Sequence, residues 1–336
     1  MTLAISGTTG ITLAGQFDSA STFGFRNRII NGLMAIDQRN AAASQTFTAA
    51  AALAYSVDRW YGFCTGANVT GQQVAGSTTP SVTQFRYRFT GAASVATVGF
   101  GQRIEQKNCY DLAGSTCTLS ADLAISATLT TVTWTASYAT TTADTFGTLA
   151  SPTVTQIATG TFTVSATVTN FSTNISVPAA ATTGIQIVFT IGALTAGLTW
   201  TIGNVQFEKG STATSFDYRP FGTELALCQR YTQKYPDGTD TFAPLVNGYC
   251  SVVTRLQGVF TYPVQMRAAP TYVLTGAFRV LSGASAISVT SSDASSADAK
   301  SVLLRFEVAS GLTVGNGGVV TANNSLTANV LFTAEL

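Results

Sequence analysis

Apolar and polar residues alternate with a period of two along much of the first two thirds of the chain. Between Thr131 and Tyr138 every second residue bears a hydroxyl group, and the residues between them are apolar or aromatic. Similar runs lie at residues 85–89, 160–170 and 185–191. Period-two alternation with many β-branched residues is typical of strands that bury one face. Glycine-rich turn signals separate the runs, so the pattern predicts an antiparallel jelly-roll sandwich.

The chain has 336 residues, which is more than a single core usually serves. The pattern divides it into four parts. Residues 1–28 are rich in glycine and threonine and alternate only briefly, which favours a terminal segment outside the sandwich. The sandwich is predicted over 29–220, a helical joint over 221–238, and further strands over 239–336. The predicted fold class is therefore all-β: a jelly-roll sandwich, a short helix and a second, smaller β-sandwich.

Charged and aromatic residues are concentrated where the sandwich is predicted to meet the joint. Intervals of three and four between Leu225, Cys228, Thr232 and Tyr235 predict a helix, which Thr223 would cap. We expect this joint to lie on the surface. Its charged side chains would pair there with one another or with a neighbouring chain: Asp217, Arg219, Glu224 and Arg230.

The composition excludes several functions and leaves one question open. Charged residues make up 10% of the chain, against about 25% in a typical domain. Either identical copies or a larger assembly cover much of the surface, or a threonine-coated β surface is simply soluble. The net charge of +1 without a basic stripe argues against nucleic-acid binding. No apolar run approaches the roughly 20 residues of a spanning helix, so we expect no membrane insertion. No signal peptide is recognised, so we expect the protein to assemble in a cytoplasm.

Metal and cofactor chemistry has little support in the sequence. Five cysteines without a CxxC spacing, together with the absence of histidine, argue against zinc. Reduced, packed thiols are expected, with a Cys109–Cys117 bridge as the alternative. No cofactor is expected. A structural calcium ion stays open, although no DxDxD run is present, and its candidate donors are Asp58, Glu105, Asp111, Asp122 and Asp217.

Several longer motifs are distinctive in combination: RNRIINGLMAIDQRN, YSVDRWYGF, GFGQRIE, TTVTWTASY, WTIGNVQFEKGSTATSFDYRP and ELALCQRYTQKY. Together they resemble a family of tailed-bacteriophage virion proteins, comprising tail-fibre, baseplate-associated and capsid-fibre proteins. The resemblance covers about residues 29–336. The jelly-roll part looks like a carbohydrate-binding module, and the last part, with PVQMRAAPTY and FTAEL, is similar to C-terminal domains of trimeric phage fibres.

The resemblance implies a structural or adhesion protein of the virion. It implies a homotrimer with host cell-surface polysaccharide as its ligand. Residues 1–28 would then attach the protein to other virion proteins. It transfers no agreed set of ligand residues, and it leaves head and tail locations equally open.

Candidate ligand residues come from the chemistry of sugar binding, in which apolar C–H faces stack on aromatic rings. The candidates are Trp60, Tyr61 and Tyr138. Trp134 and Trp200 share strand faces with aliphatic residues and are predicted to lie in the core. Trp60 and Tyr61 are adjacent in a strand and must point to opposite sides, so one of them is expected to be accessible, and Tyr61 is preferred.

Enzymatic functions have weaker support. Without histidine, no Ser-His-Asp or Cys-His nucleophile can form. The sixteen acidic residues lie in no recognised glycosidase motif, and no fixed repeat of a β-helix is visible. We therefore expect a non-catalytic adhesion protein. The alternatives are a purely architectural capsid or tail component without a host ligand and, with less support, a polysaccharide depolymerase.

Overall fold

Antiparallel strand pairing accounts for nearly all of the regular structure in the computed structural model. The structure describes residues 3–6, 10–13, 25–50, 52–76, 84–126 and 129–336. Strands make up 49% of the chain, which confirms the predicted all-β class. The chain forms two compact units, Met1–Glu224 together with Leu336, and Leu225–Glu335. Strands are numbered β1 to β23 in chain order, beginning with the paired strands β1 (Leu3–Ser6) and β2 (Gly10–Leu13).

Two six-stranded antiparallel sheets build the first unit. One contains, in spatial order, β11 (Val154–Thr163), β10 (Thr131–Ala139), β13 (Ile185–Ile191), β8 (Thr97–Ile104), β5 (Trp60–Thr65) and β4 (Ala54–Tyr55). The other contains β12 (Thr169–Ser176), β9 (Thr116–Ile125), β14 (Thr199–Lys209), β7 (Phe85–Thr90), β6 (Val69–Ala75) and β3 (Gln45–Phe47). Most consecutive strands fall into different sheets, as in a jelly-roll sandwich, whereas β4 and β5, β6 and β7, and β10 and β11 are paired neighbours within one sheet.

The alternation in the sequence places the core between these sheets. Trp134 and Trp200 are 6% and 0% exposed and belong to the core, as predicted. The ring of Phe100 stacks on Trp60 and on Tyr87, with 4.8 Å between ring centroids in each case. Burial of such large rings from both sheets is the main source of stability in a sandwich of this size.

One predicted strand is shorter than its sequence pattern. The run at residues 160–170 alternates throughout, but β11 ends at Thr163 and β12 begins at Thr169. Val164 is still buried, whereas Ala166 is exposed. Alternation therefore continued across a turn that connects one sheet to the other.

The predicted joint combines a helix with a strand. The helix α1 covers Phe221–Gln229 and follows Pro220, whose carbonyl oxygen accepts the first bonds, so Thr223 is not its cap. The chain then enters β15 (Thr232–Tyr235), which pairs with β23 (Asn329–Thr333). The predicted helix over 221–238 was wrong in its second half. There β23, about 100 residues away in the chain, supplies the backbone hydrogen bonds of a strand.

The second unit is a closed barrel with a small additional sheet. The barrel strands, in spatial order, are β16 (Pro244–Val252), β17 (Arg255–Thr261), β21 (Ser301–Val308), β20 (Ser285–Ser295), β19 (Phe278–Ser282) and β22 (Gly317–Ala322). The three-stranded sheet has the order β15, β23 and β18 (Thr271–Thr275). The prediction of strands was right, but they close into a barrel where two open layers were expected, and sequence alternation does not distinguish the two arrangements.

The remaining sequence expectations have mixed outcomes. Of the predicted attachment segment 1–28, most residues lie outside the described part, and its last residues already bond to the sandwich, with the Arg28 amide donating to Phe207. All five cysteines are free and buried, as expected. Burial raises the pKa of Cys109 to about 12. Among the described residues, no helix has the length and apolar character needed to cross a membrane.

The aromatic stack in the core gives a direct test of the sandwich. We expect Phe100→Ala to lower the free energy of unfolding of the first unit by about 3–5 kcal/mol, because it removes a fully buried ring and leaves a cavity. Tyr110, which is 60% exposed, provides the control, and Tyr110→Ala should change stability by less than about 0.5 kcal/mol. Chemical denaturation monitored by tryptophan fluorescence measures both, and equal small effects would contradict the packing.

Candidate functional site

Trp60 is a core residue. It is 0% exposed, its ring stacks on Phe100, and its indole Nε1 donates a hydrogen bond to the main-chain oxygen of Asn31 at 3.0 Å. Both faces of the ring are therefore inside the protein. Trp60 offers no surface on which a sugar can stack.

Tyr61 points to the other side of the sheet, as alternation requires, but it is covered there. Its exposed fraction is 1%, the guanidinium of Arg103 lies 5.4 Å from its ring centroid, and the ring of Tyr55 lies edge-on at 6.0 Å. Burial raises the pKa of the Tyr61 hydroxyl, and the positive charge of Arg103 partly offsets this. The expectation that one residue of the Trp60–Tyr61 pair is accessible was wrong, because the side chains of Arg103 and Tyr55 cover Tyr61 on the outer face of this sheet.

Tyr138 is half-buried and packs against the core of the sandwich. It faces Ile185 across the β10–β13 pair. Since Trp60 belongs to the core and Tyr61 lies on the opposite sheet face, the structure does not bring the three predicted residues into one site.

A small groove of about 200 Å³ lies beside Tyr61 on the outer face of the sheet. Arg103 occupies its base and donates hydrogen bonds to Gln186 Oε1 at 3.0 Å and to the main-chain oxygens of Gly147 at 2.9 Å and Leu336 at 2.8 Å. Leu336 belongs to the same compact unit. Two of the three aromatic residues that line the groove are buried, so it offers little ring surface to a ligand.

A larger pocket, of about 430 Å³, lies elsewhere in the first unit, and we call it the aromatic pocket. It is lined by parts of residues 27–36, by Gln84 and Phe85, by residues 216–219 and by Phe221 and Glu224. Its volume falls within the roughly 300–1,000 Å³ typical of small-molecule sites. The lining residues that the structure describes all belong to the first unit.

Four aromatic side chains form much of the pocket wall. Tyr218 and Phe221 are 53% and 61% exposed, whereas Phe85 and Phe216 are partly buried. Large aromatic residues normally bury most of their surface, so two exposed rings beside one pocket are an informative feature. The wall offers the open ring faces that the groove beside Tyr61 lacks.

A buried ion pair is part of the same pocket lining. Nη1 of Arg219 is 3.0 Å from Glu224 Oε2 and 3.1 Å from Oε1, and both residues are 9% exposed. Arg219 also donates to the main-chain oxygens of Ile29 and Asn27, and Glu224 accepts from the Asn31 amide. The pair therefore joins the start of the sandwich to the segment that carries Tyr218 and Phe221.

The Nε–H group of Arg219 is not satisfied by the protein. It is buried and has no hydrogen-bond acceptor among the described residues. An unpaired buried donor is costly, and such groups are found where a water molecule or a ligand supplies the missing acceptor. Although Arg219 lines the aromatic pocket, its Nε atom has almost no accessible surface, so a ligand in the pocket does not reach it.

Two polar residues on β14 hold the segment before the ion pair. Gln206 and Glu208 are spaced by two in the strand, so they share a face, and both are buried at 0% and 1% exposed. Glu208 accepts from the Thr214 amide at 2.9 Å and from its hydroxyl at 2.7 Å. Gln206 Oε1 accepts from the Asp217 amide at 2.7 Å. These bonds fix the course of residues 214–217 against the sheet.

Asp217 contributes a carboxylate to the pocket. Its Oδ2 accepts a hydrogen bond from the Asn27 amide at 3.1 Å, and the residue is partly exposed. No hydrogen bond to Oδ1 is found among the described residues. Oδ1 is therefore an acceptor that a hydroxyl or amide group of a ligand can use.

The sequence indicated this region without identifying it as a site. The charged residues near residues 217–224 were expected to pair on the surface. Arg219 and Glu224 do pair, but inside the protein, which corrects the expected exposure. The signal for a pocket was the interleaving of Phe216, Tyr218 and Phe221 with these charges, because exposed aromatic residues next to acceptors are typical of ligand sites. In the described residues, no three His, Cys, Asp or Glu side chains are grouped as metal ligands.

Comparison with known proteins does not assign the chain to a family. No family profile matches it, and no curated protein matches its sequence significantly. Solved structures that resemble parts of it include the enzymatically active domain of tailspike protein 4 of bacteriophage CBA120, at 15% identity and a TM-score of 0.35. That alignment covers 55% of this chain and 22% of the tailspike domain, so the chain spans about a fifth of that domain.

Two other similar structures contain carbohydrate-binding modules. A CBM4 structure is 16% identical with a TM-score of 0.33, over 54% of this chain and 98% of the other. The C-terminal family 22 carbohydrate-binding module of Clostridium thermocellum Xyn10B is 13% identical with a TM-score of 0.33, over 48% and 91%. Similarity at this level does not establish a shared function.

The buried ion pair can be tested by removing one charge. Glu224→Gln keeps the shape of the side chain but leaves the Arg219 charge without its partner. We expect the unfolding free energy of the first unit to fall by about 3–5 kcal/mol. The matched control is Asp111→Asn, which breaks the Arg28–Asp111 pair, whose side chains are 27% and 41% exposed, and should cost at most about 1 kcal/mol. Calorimetry of both variants decides, and equal losses would contradict a structural role for the buried pair.

Proposed function

We propose that the protein is a component of a tailed-bacteriophage particle that adheres to glycans on the host surface through the aromatic pocket. The virion role is supported by the sequence motifs, among them the segment that ends in residues 216–220. Those motif residues include Phe216, Asp217, Tyr218 and Arg219, which line the pocket. Localisation to the virion, at the head or the tail, is part of this proposal.

The observation that carries glycan binding is the combination of exposed rings with a fixed acceptor. Tyr218 and Phe221 present open aromatic surface, and Asp217 presents a carboxylate oxygen beside them. Sugars need both, because their C–H faces stack on rings while their hydroxyl groups must keep hydrogen bonds when they leave water. The pocket therefore matches the chemistry of a sugar better than the groove beside Tyr61 does.

Adhesion in this proposal involves no bond cleavage. A glycosidase needs two carboxyl groups that act across the bond, one of them as a proton donor. Of the two carboxylates in the pocket, Glu224 accepts from Arg219 with both oxygens and from the Asn31 amide, which is a structural arrangement. Incubating host polysaccharide with the protein and assaying new reducing ends distinguishes adhesion from depolymerisation, and the appearance of reducing ends would overturn this part.

A purely architectural role is the main alternative, and the low charge of 10% favours it. An architectural component would use its surface only for contacts with other virion proteins, including those that residues 1–28 are proposed to bind. The two functions differ in one simple observation. An adhesion protein binds extracted host-surface polysaccharide, and an architectural component does not.

We expect binding to depend on the exposed rings. Tyr218→Ala and Phe221→Ala should each weaken binding to host polysaccharide about tenfold, since each removes part of the stacking surface. Tyr110→Ala provides the control, because Tyr110 is also exposed but does not line the pocket, and its binding should equal that of the unmodified protein. Biolayer interferometry with immobilised polysaccharide measures all three. Unchanged binding in both pocket variants would contradict the assignment of the site.

The proposed assembly is a homotrimer. Three copies would present several weak sites together, so that effective concentration strengthens attachment to a cell surface. Light scattering of the purified protein should then give about three times the chain mass of 34.9 kDa. A mass of one chain at micromolar concentration would contradict the trimer, while leaving glycan binding to be judged by the pocket variants.

A further inference from the structure

The charge distribution in the aromatic pocket restricts which sugars it can accept. Among the lining residues that the structure describes, three side chains are charged: Asp217, Arg219 and Glu224. Arg219 Nη1 and Glu224 Oε2 are 3.0 Å apart, so the two charges neutralise each other. The described lining is left with the carboxylate of Asp217 and no uncommitted positive charge.

The neighbouring arginines do not change this balance inside the pocket. Arg26 donates to the main-chain oxygen of Ser215 at 3.5 Å, and Arg86 donates to that of Gly76 at 2.7 Å. Neither residue lines the pocket. A ligand carboxylate would therefore meet Asp217 without a guanidinium or ammonium group available to pair with it.

The hydrogen-bonding capacity of Asp217 points in the same direction. An ionised carboxylate only accepts hydrogen bonds, and Oδ2 already accepts one from the Asn27 amide. A hydroxyl or amide group can donate to Oδ1, whereas an ionised carboxylate cannot. Replacing a hydroxymethyl group of a sugar by a carboxylate therefore exchanges a favourable bond for a repulsion between like charges.

The size of the pocket limits how many sugar rings it can enclose. A volume of about 430 Å³ accommodates one or two sugar rings. The exposed faces of Tyr218 and Phe221 can receive the C–H face of one ring. The remaining wall is mixed and includes the aliphatic side chains of Leu33, Ala35 and Ile36.

We infer that the aromatic pocket binds an uncharged sugar residue and discriminates against uronic and other acidic sugars, with Asp217 as the residue that determines this specificity. This inference rests on the proposed glycan-binding function. It adds the chemical class of the ligand and the residue that selects it.

The test compares matched sugars on the full chain by isothermal titration calorimetry. The probes are the methyl glycosides of glucose and galactose and those of glucuronic and galacturonic acid. Each acid differs from its parent sugar only at the sixth carbon. We expect the uncharged sugars to bind about tenfold more tightly than the acids at low salt. Raising the salt concentration should strengthen binding of the acids selectively, because it screens the repulsion from Asp217. Acids that bind as tightly as their uncharged counterparts would overturn the inference.

Variants of Asp217 separate specificity from binding. Asp217→Asn preserves the side-chain shape and supplies a donor, so it should reduce the preference for uncharged sugars about tenfold and abolish the salt effect on the acids. Asp111→Asn removes a carboxylate outside the pocket and should leave the preference unchanged. A thermal transition within a few degrees of the unmodified protein verifies that each variant is folded. An unchanged preference in folded Asp217→Asn would overturn the role of Asp217, whereas absence of binding to any saccharide would overturn the proposed function itself.

Discussion

The first unit depends on how it satisfies polar groups that its last strand, β14, and the following segment place inside the protein. A strand points alternate residues to opposite sides, so the sequence that sends Val205 and Phe207 into the core must send Gln206 and Glu208 outward. Those side chains are nevertheless buried. Their burial is tolerated because Thr214 and Asp217 form hydrogen bonds with them. The segment continues to Arg219, whose charge requires Glu224, and Glu224 lies in the first turn of α1. Each polar group thus fixes the position of the next.

This chain of requirements also explains why two aromatic rings stay exposed. Residues 214–217 are held against the sheet, and Arg219 is directed inward to Glu224 and to the main chain of residues 27–29. Tyr218 lies between these two anchors and is exposed, and Phe221, also exposed, begins the helix and lines the same pocket. A ring that only contributed to stability would be expected to turn inward. The rigid support below these rings is what a binding site needs, because a fixed surface loses little entropy when a ligand stacks on it.

The sequence was sufficient for the class of fold but not for the site, and the reason is the range of the interactions. Alternation is a local property, so it correctly placed Trp134 and Trp200 in the core and directed Trp60 and Tyr61 to opposite sides of their sheet. Whether the outer side is open depends on tertiary contacts: Tyr61 is covered by Tyr55, its partner on the neighbouring strand β4, and by Arg103, which is distant in the chain. The same limit applies to β15, whose helical spacing lost to pairing with β23. The aromatic pocket gathers residues near 30, 85 and 218, and only the last group stood out in the sequence because its charges and rings interleave.

We propose that the rings exposed beside the Arg219–Glu224 pair form a glycan site. A crystal structure of the full chain soaked with a saturating concentration of an uncharged methyl glycoside tests this. Glycan binding in the aromatic pocket requires electron density for the sugar against Tyr218 and Phe221, with a hydroxyl group within hydrogen-bond distance of Asp217. Density in the groove beside Tyr61, with the aromatic pocket empty, would contradict it.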